Sequence, residues 1–314
     1  MKIVQVESLS VSKQELDNAK QEFESLGHQY TYYTDIPEDE DELISRMKDA
    51  EIVNISNIKL TARAIESCPE LKYLNVAFTG TDHVDIECCR KHGIKVSNAA
   101  GYSTEAVSEL AIGLAVALMR NFSQMDSNTR NLGNRNNFLG TELCGKTVGI
   151  VGTGNIGLAT AKIFKAFGCK ILAYSRTKKD IENITYTSLD ELFANSDIIS
   201  LHIPANPQTK GLISKDLLAK MKSTAIIINT ARGPVMDNAA LAELLKAGKI
   251  AGAGIDVYET EPPLPENYPL LSAPNTILLP HVGYASKEAM QKRFVIVRSN
   301  LHSYLQGQQE NVIL

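Results

Sequence analysis

Between Thr147 and Gly157 the chain reads T-V-G-I-V-G-T-G-N-I-G, which puts Gly152, Gly154 and Gly157 at G-x-G-x-x-G spacing. Glycines so spaced suit one chemistry when a strand precedes them and a helix follows. The first permits a tight turn, the second lets backbone approach a pyrophosphate, and the third lets helix and strand pack closely. Both flanks are present here. A β-branched run, Thr147–Gly152, comes before, and an Ala-rich helical pattern, Asn155–Phe167, comes after, with Gly168 at its stop. The amino end of that helix would meet the charge of a pyrophosphate. The next predicted strand, Lys170–Tyr174, runs into Ser175-Arg176-Thr177-Lys178-Lys179, with no acid before Asp180. An acid at this point would bind the ribose hydroxyls of NAD and repel a 2′-phosphate. Ser175 and Thr177 hydroxyls and the Arg176 guanidinium fork instead suit a phosphate, so the run favours NADP(H). The alternative is NAD(H), with Arg176 stacked on adenine.

The elements that must position these residues form two alternating series. In the first hundred residues strands are predicted at Lys2–Val6, Tyr30–Thr34, Glu51–Ile55, Leu71–Ala77 and Ile94–Asn98. Helices lie between them: one opened by a Ser12/Glu15 capping box and closed at Gly27, one opened by the acidic run Glu38–Glu42, and two near Thr61–Ser67 and Val84–His92. A long helix is predicted from Ser103 to about Asn121, then a polar Asn-rich patch, Asn128–Asn137, readable as a linker or as an arm. The second series has strands at Thr147–Gly152, Lys170–Tyr174, Ile198–Ile203, Ala225–Thr230, Ala251–Val257 and Thr276–Leu279, and a last helix at Ser286–Leu305. Alternation of this kind predicts α/β architecture with parallel sheets covered on both faces.

Composition narrows the class. With 314 residues, the chain is long enough for two domains. A formal net charge of −4 excludes a nucleic-acid binder held by bulk positive charge. The longest apolar stretch, Leu110–Met119, is too short to span a bilayer, and no membrane association is expected. Five cysteines without C-x-x-C spacing (Cys68, Cys88, Cys89, Cys144, Cys169) point to reduced thiols and a cytoplasmic location. No His, Cys or carboxylate set has zinc spacing, so no metal is expected.

Further motifs stand in a fixed order: F-T-G-T-D-H-V-D at 78–85, L-H-I-P at 201–204, N-T-A-R-G at 229–233, D-V-Y-E-T-E-P at 256–262 and L-P-H-V-G at 279–283. With the glycine motif, they make the sequence similar over its whole length to the D-isomer-specific 2-hydroxyacid dehydrogenases. The resemblance implies two Rossmann-like or flavodoxin-like parallel-sheet domains. A dinucleotide-binding domain, residues 99–284, would be inserted into a substrate domain made of residues 1–98 and 285–314, with the active cleft between them. It implies a catalytic set of Arg232 on the substrate carboxylate and carbonyl, His281 as general acid in reduction, and Glu261 as the partner that fixes and charges the imidazole. Carboxyl ends of parallel strands are where open sheets bind ligands, and all three residues follow predicted strands. The resemblance further implies pyrophosphate contacts from the N–H groups of Asn155 and Ile156. Pro204 would lie by the adenosine and Thr230, Ala231 and Asp256 around the nicotinamide, with Asp256 accepting from its carboxamide. Thr104 is expected to reach the cofactor, and the backbone of Phe78, Thr79 and Gly80 to hold the substrate carboxylate. The long helix and Asn-rich arm resemble the family's subunit contact, which implies a homodimer.

The substrate implied is a small 2-oxoacid. Glu261 stands where formate dehydrogenases carry Gln. The stretch Ile55–Thr61 lacks the Arg-Ser pair usual in phosphoglycerate dehydrogenases. The T-G-T-D-H-V-D, N-I-K-L-T and A-A-G-Y-S-T segments are most similar to glycerate dehydrogenases that reduce hydroxypyruvate and to glyoxylate reductases. D-lactate-like and phosphoglycerate dehydrogenases are the alternatives. A cofactor-sensing corepressor is the alternative from another class, separable by its negligible turnover.

Overall fold

The computed structural model describes residues 1–314, which divide into two units, Met1–Ser103 with Ala285–Leu314, and Thr104–Tyr284. The first unit is built on a five-stranded sheet of β1 (Lys2–Gln5), β2 (Gln29–Tyr32), β3 (Ile52–Ile55), β4 (Tyr73–Val76) and β5 (Lys95–Asn98). Every pairing is parallel and the strand order is β2-β1-β3-β4-β5. Its helices are α1 (Lys13–Ser25), α2 (Glu40–Met47), α3 (Ala62–Glu66), α4 (Ile86–Lys91) and the last helix of the chain, α11 (Lys287–Leu305). The start of α1 shows why sequence signals work at helix ends. Ser12 Oγ accepts from Glu15 N–H, and the Glu15 carboxylate accepts from Ser12 N–H at 2.9 Å. Two otherwise orphaned donors are thereby satisfied. Gly27, at φ +81°, turns the chain out of the helix. The side chain of Phe23 then stacks on Tyr30, with ring centroids 5.5 Å apart.

The second unit holds a seven-stranded parallel sheet: β6 (Thr147–Val151), β7 (Lys170–Tyr174), β8 (Ile184–Tyr186), β9 (Ile198–Leu201), β10 (Ile226–Asn229), β11 (Gly252–Ile255) and β12 (Thr276–Leu278). Its order is β12-β11-β10-β9-β6-β7-β8, which reverses direction between β6 and β9. Helices α5 (Thr104–Met119), α6 (Phe122–Arg130), α7 (Asn155–Ala166), α8 (Leu189–Asn195), α9 (Lys215–Leu218) and α10 (Asn238–Lys246) complete it. Both sheet faces are covered. One carries Ala111, Leu114, Ile150, Phe164 and Ile228, the other Leu192, Phe193, Ile227, Leu241 and Ile255, all buried. Strands β9, β10 and β11 are buried at every position, which is why they read as continuous apolar runs rather than alternating ones. The apolar stretch of α5 is spent on this packing, and no single helix is long and apolar enough to cross a membrane.

The long helix runs Thr104–Met119, within two residues of its predicted ends. Asn121 adopts φ +51° and breaks it, and α6 follows, covering part of the Asn-rich patch. That helix is short and polar and buries no residue, so it lacks the strong apolar periodicity by which helices are read. On the last helix His302 bonds Glu22 at 2.8 Å and packs on Phe23.

Candidate active site

At the topological switch point of the second sheet, β6 runs directly into the glycine motif. Gly152 has φ +102°, and a Cβ there would collide with the carbonyl of His202. At Gly157 a Cβ would collide with the carbonyl of Gly152. These two glycines are therefore demanded by the fold itself. Gly154 differs: it is exposed, and nothing lies within 4 Å of where its Cβ would be. It caps α7 without a side-chain hydrogen bond, which leaves the first amides of Asn155 and Ile156 to an outside acceptor. The space and the donors fit a pyrophosphate. Thr230 Oγ1 is buried and has no partner within the protein, as suits a group that completes its bonding with a bound molecule. At the end of β7, Ser175 is half-buried and Arg176 and Thr177 are exposed, with no carboxylate among residues 175–179.

The catalytic candidates sit past the carboxyl ends of three neighbouring strands, β10, β11 and β12. Buried Asn229, the last residue of β10, clasps the turn that carries Arg232. Its Oδ1 accepts from Ala231 N–H at 3.0 Å, and its Nδ2 donates to the Arg232 carbonyl at 3.1 Å. The Arg232 guanidinium donates to the Ala231 carbonyl at 2.8 Å. At Gly233 a Cβ would strike the backbone of Tyr258, so the Arg232 turn lies directly on the segment leading to Glu261. That segment is anchored by Glu259, which accepts from Asn238 Nδ2 at 2.9 Å and from the Tyr268 hydroxyl.

His281 Nδ1 meets both oxygens of Glu261, at 2.8 and 2.9 Å. The imidazole is only 12% exposed while Glu261 is 59% exposed. An acid that open to water adds little stability through its charge, and its effect is to orient the ring. The edge of one ring against the face of the other, His281 packs on Tyr284 at 5.4 Å between centroids. Its backbone adopts φ +56°, a left-handed conformation that costs a residue with a Cβ about 1–3 kcal/mol.

What holds that conformation is Asp256. Three successive amides turn toward it: His281 N–H donates to its carbonyl, Val282 N–H to Oδ1 and Gly283 N–H to Oδ2, each at 2.8 Å. Gly283 is required for the closeness, since a Cβ there would come within 2.9 Å of Oδ2. Burial pushes the Asp256 carboxyl above the usual carboxylate range, and the two backbone bonds oppose that rise. Asp256 is 1% exposed, and each of its carboxylate oxygens accepts one N–H from the loop that carries His281.

Among the remaining candidates, Pro204 is exposed and its carbonyl accepts from Thr209 Oγ1 at 2.6 Å, while Thr104 opens α5. His202 bonds Ser200 Oγ at 2.9 Å, and burial pushes its imidazole down to about 3. In the first unit, Phe78 is buried at the end of β4 and its carbonyl accepts from Ala99 N–H at 3.0 Å. The Thr79 carbonyl accepts from Asn98 Nδ2 at 2.7 Å, which fixes the turn through Gly80.

A parallel sheet with a glycine-rich turn at its switch point, and with an arginine and an imidazole–carboxylate pair past the carboxyl ends of its strands, has the parts of a nicotinamide-dependent oxidoreductase. Comparison with known proteins narrows the class. Residues 112–283 match the family model described as D-isomer specific 2-hydroxyacid dehydrogenase, NAD binding domain. A hydroxypyruvate reductase of Blautia hydrogenotrophica is 36% identical over 323 residues, covering 100% of this chain and 99% of its own. A glyoxylate reductase of Thermofilum pendens is 40% identical over 285 residues, covering 87% and 84%. Among solved structures, an acyclic imino acid reductase in complex with NADPH and D-Arg superposes with a TM-score of 0.92 at 32% identity, covering 100% of both chains. The chain belongs to the D-isomer-specific 2-hydroxyacid dehydrogenase family and is an oxidoreductase acting on 2-hydroxy acids.

Proposed function

We propose that the chain reduces hydroxypyruvate or glyoxylate to the corresponding 2-hydroxy acid, with NADPH preferred over NADH. The observation that carries the reaction is the His281–Glu261 pair beyond the strand neighbouring the Arg232 turn. When bound, the reduced nicotinamide supplies the hydride. Arg232 binds the substrate carboxylate through its fork and draws charge toward the carbonyl oxygen. His281 delivers a proton from Nε2 to that oxygen as it becomes an alcohol, and Glu261 orients the imidazole for the transfer. Thr230 and Ala231 border the nicotinamide end, and Asn155 and Ile156 donate to the pyrophosphate. In the first unit, the backbone of Phe78, Thr79 and Gly80 is the carboxylate-binding turn. The names of the relatives support the substrate class.

Residues 175–179 support the cofactor preference, because nothing there would repel a 2′-phosphate and Arg176 would bind one. A kinetic panel of hydroxypyruvate, glyoxylate, pyruvate and phosphohydroxypyruvate against both reduced cofactors tests the whole reading. The first two substrates with NADPH should give the highest kcat/KM. Arg176→Ala should raise the KM for NADPH at least about tenfold, the loss of one charge-assisted bond, and leave that for NADH nearly unchanged. Equal losses for both cofactors would show that Arg176 does not read the phosphate.

The chain is further proposed to be a cytoplasmic homodimer. All five cysteines are free, as suits a reducing compartment. Helix α6 buries nothing within its own chain, and Leu132 and Leu139 beyond it are 97% and 82% exposed. An arm of that kind fits a second copy. Light scattering at micromolar concentration should return twice the chain mass, and a monomer there contradicts the assignment.

A further inference from the structure

Three donors with no task above converge in the first unit. Glu66 closes α3, while Cys88 lies on α4 and His92 caps its carboxyl end, one helical turn beyond Cys88. Their ligand atoms lie within 4.8 Å of one another, and His92 Nε2 stands 3.6 Å from the Glu66 carboxylate. In a tetrahedral Zn²⁺ site, bonds of about 2.0–2.3 Å put neighbouring ligand atoms about 3.3–3.7 Å apart. One pair is already at that spacing, and the widest separation needs to close by only about 1 Å. The donor types agree as well: one sulfur, one imidazole nitrogen and one carboxylate oxygen form the mixed set that a borderline-soft cation takes. A thiolate and a carboxylate together balance a divalent charge. The side chains of Glu66 and His92 are 50% and 41% exposed, so an ion and a completing water can enter, while Cys88 supplies the buried wall. Lys91, 4.0 Å from Glu66, is the cation that a metal would displace.

We propose that Glu66, Cys88 and His92 form a three-ligand site for Zn²⁺ or a similar divalent transition metal, which ties α3 to α4. Linear spacing concealed it, because the third ligand comes from a separate helix.

Titration of the full chain with Co²⁺, a spectroscopic substitute for Zn²⁺, tests the site. A thiolate-to-cobalt charge-transfer band should grow to saturation at one equivalent and vanish on addition of Zn²⁺. Cys88→Ser should abolish the band. His92→Asn and Glu66→Gln, both at exposed positions where folding is not at stake, should each weaken Co²⁺ binding at least about tenfold, since loss of even an outer-shell partner of a metal ligand commonly costs that much. Absence of the band in the unmodified chain overturns the proposal, and so does a band that His92→Asn and Glu66→Gln leave unchanged. Should Cys88→Ser fail to fold, those two variants decide the matter alone.

Discussion

Replacing His281 with Ala should lower kcat by about 10²-fold or more, the ordinary worth of a positioned proton donor. The expectation rests on geometry. One ring nitrogen is held by Glu261 at 2.8 Å, and removing the imidazole removes the proposed proton donor. Cofactor affinity should change little, because the glycine turn after β6 belongs to a separate strand end. The variant carries one complication. Residue 281 has φ +56°, and Ala accepts that conformation less readily than His does. His281→Asn is therefore the better comparison, since Asn tolerates left-handed backbone and leaves the Asp256-held loop in place. Both variants should lose turnover to a similar degree while Asn keeps the melting temperature closer to that of the parent. Near-normal kcat in either one would take His281 out of the mechanism.

The same residue shows which parts of the site were legible in the sequence. That His281, Glu261 and Arg232 belong to one proposed catalytic set could be taken from motif order, because their types are chemically distinctive. What places them on one edge of the sheet could be read only in part. Alternating strands and helices predict that residues following strands share one edge of a sheet, and β10, β11 and β12 do lie side by side. The glycine turn was legible for the same reason, since G-x-G-x-x-G between strand and helix is a local signal. Asp256 was not. Its engagement of three amides depends on a left-handed residue 25 positions further on, which has no signature in an apolar strand that ends in an acid. The polar helix α6 was missed for a different reason. Helices are recognised by the stripe they bury, and this one buries nothing within its own chain. Most strands were predicted slightly too long, though not β7, because the apolar run of a parallel strand continues into the loop that the sheet also covers, as at Ile203 and Val257, and the short edge strand β8 was not predicted.

The glycine after Arg232 makes a second large effect predictable. Gly233→Ala should lower kcat/KM by about 10²-fold or more, although residue 233 has no side chain and touches no reacting atom. A Cβ at that point would occupy the space of the Tyr258 backbone, and neither partner can yield by rotating a side chain. On one side, the Arg232 turn is fixed by both arms of the Asn229 amide. On the other, the segment after β11 is fixed by the Glu259 bonds to Asn238 and Tyr268. The clash must therefore move backbone carrying either Arg232 or Glu261, and a displacement of about 1 Å at a reacting group can cost about 10²-fold. The loss should fall on both kcat and KM, because the role proposed for Arg232 includes binding the substrate as well as activating it. Gly154→Ala provides the contrast. Its Cβ would meet no protein atom, so folding should be unaffected and only affinity for the cofactor should fall. If Gly233→Ala kept full activity, the close apposition of the Arg232 and Glu261 segments would not be a condition of catalysis.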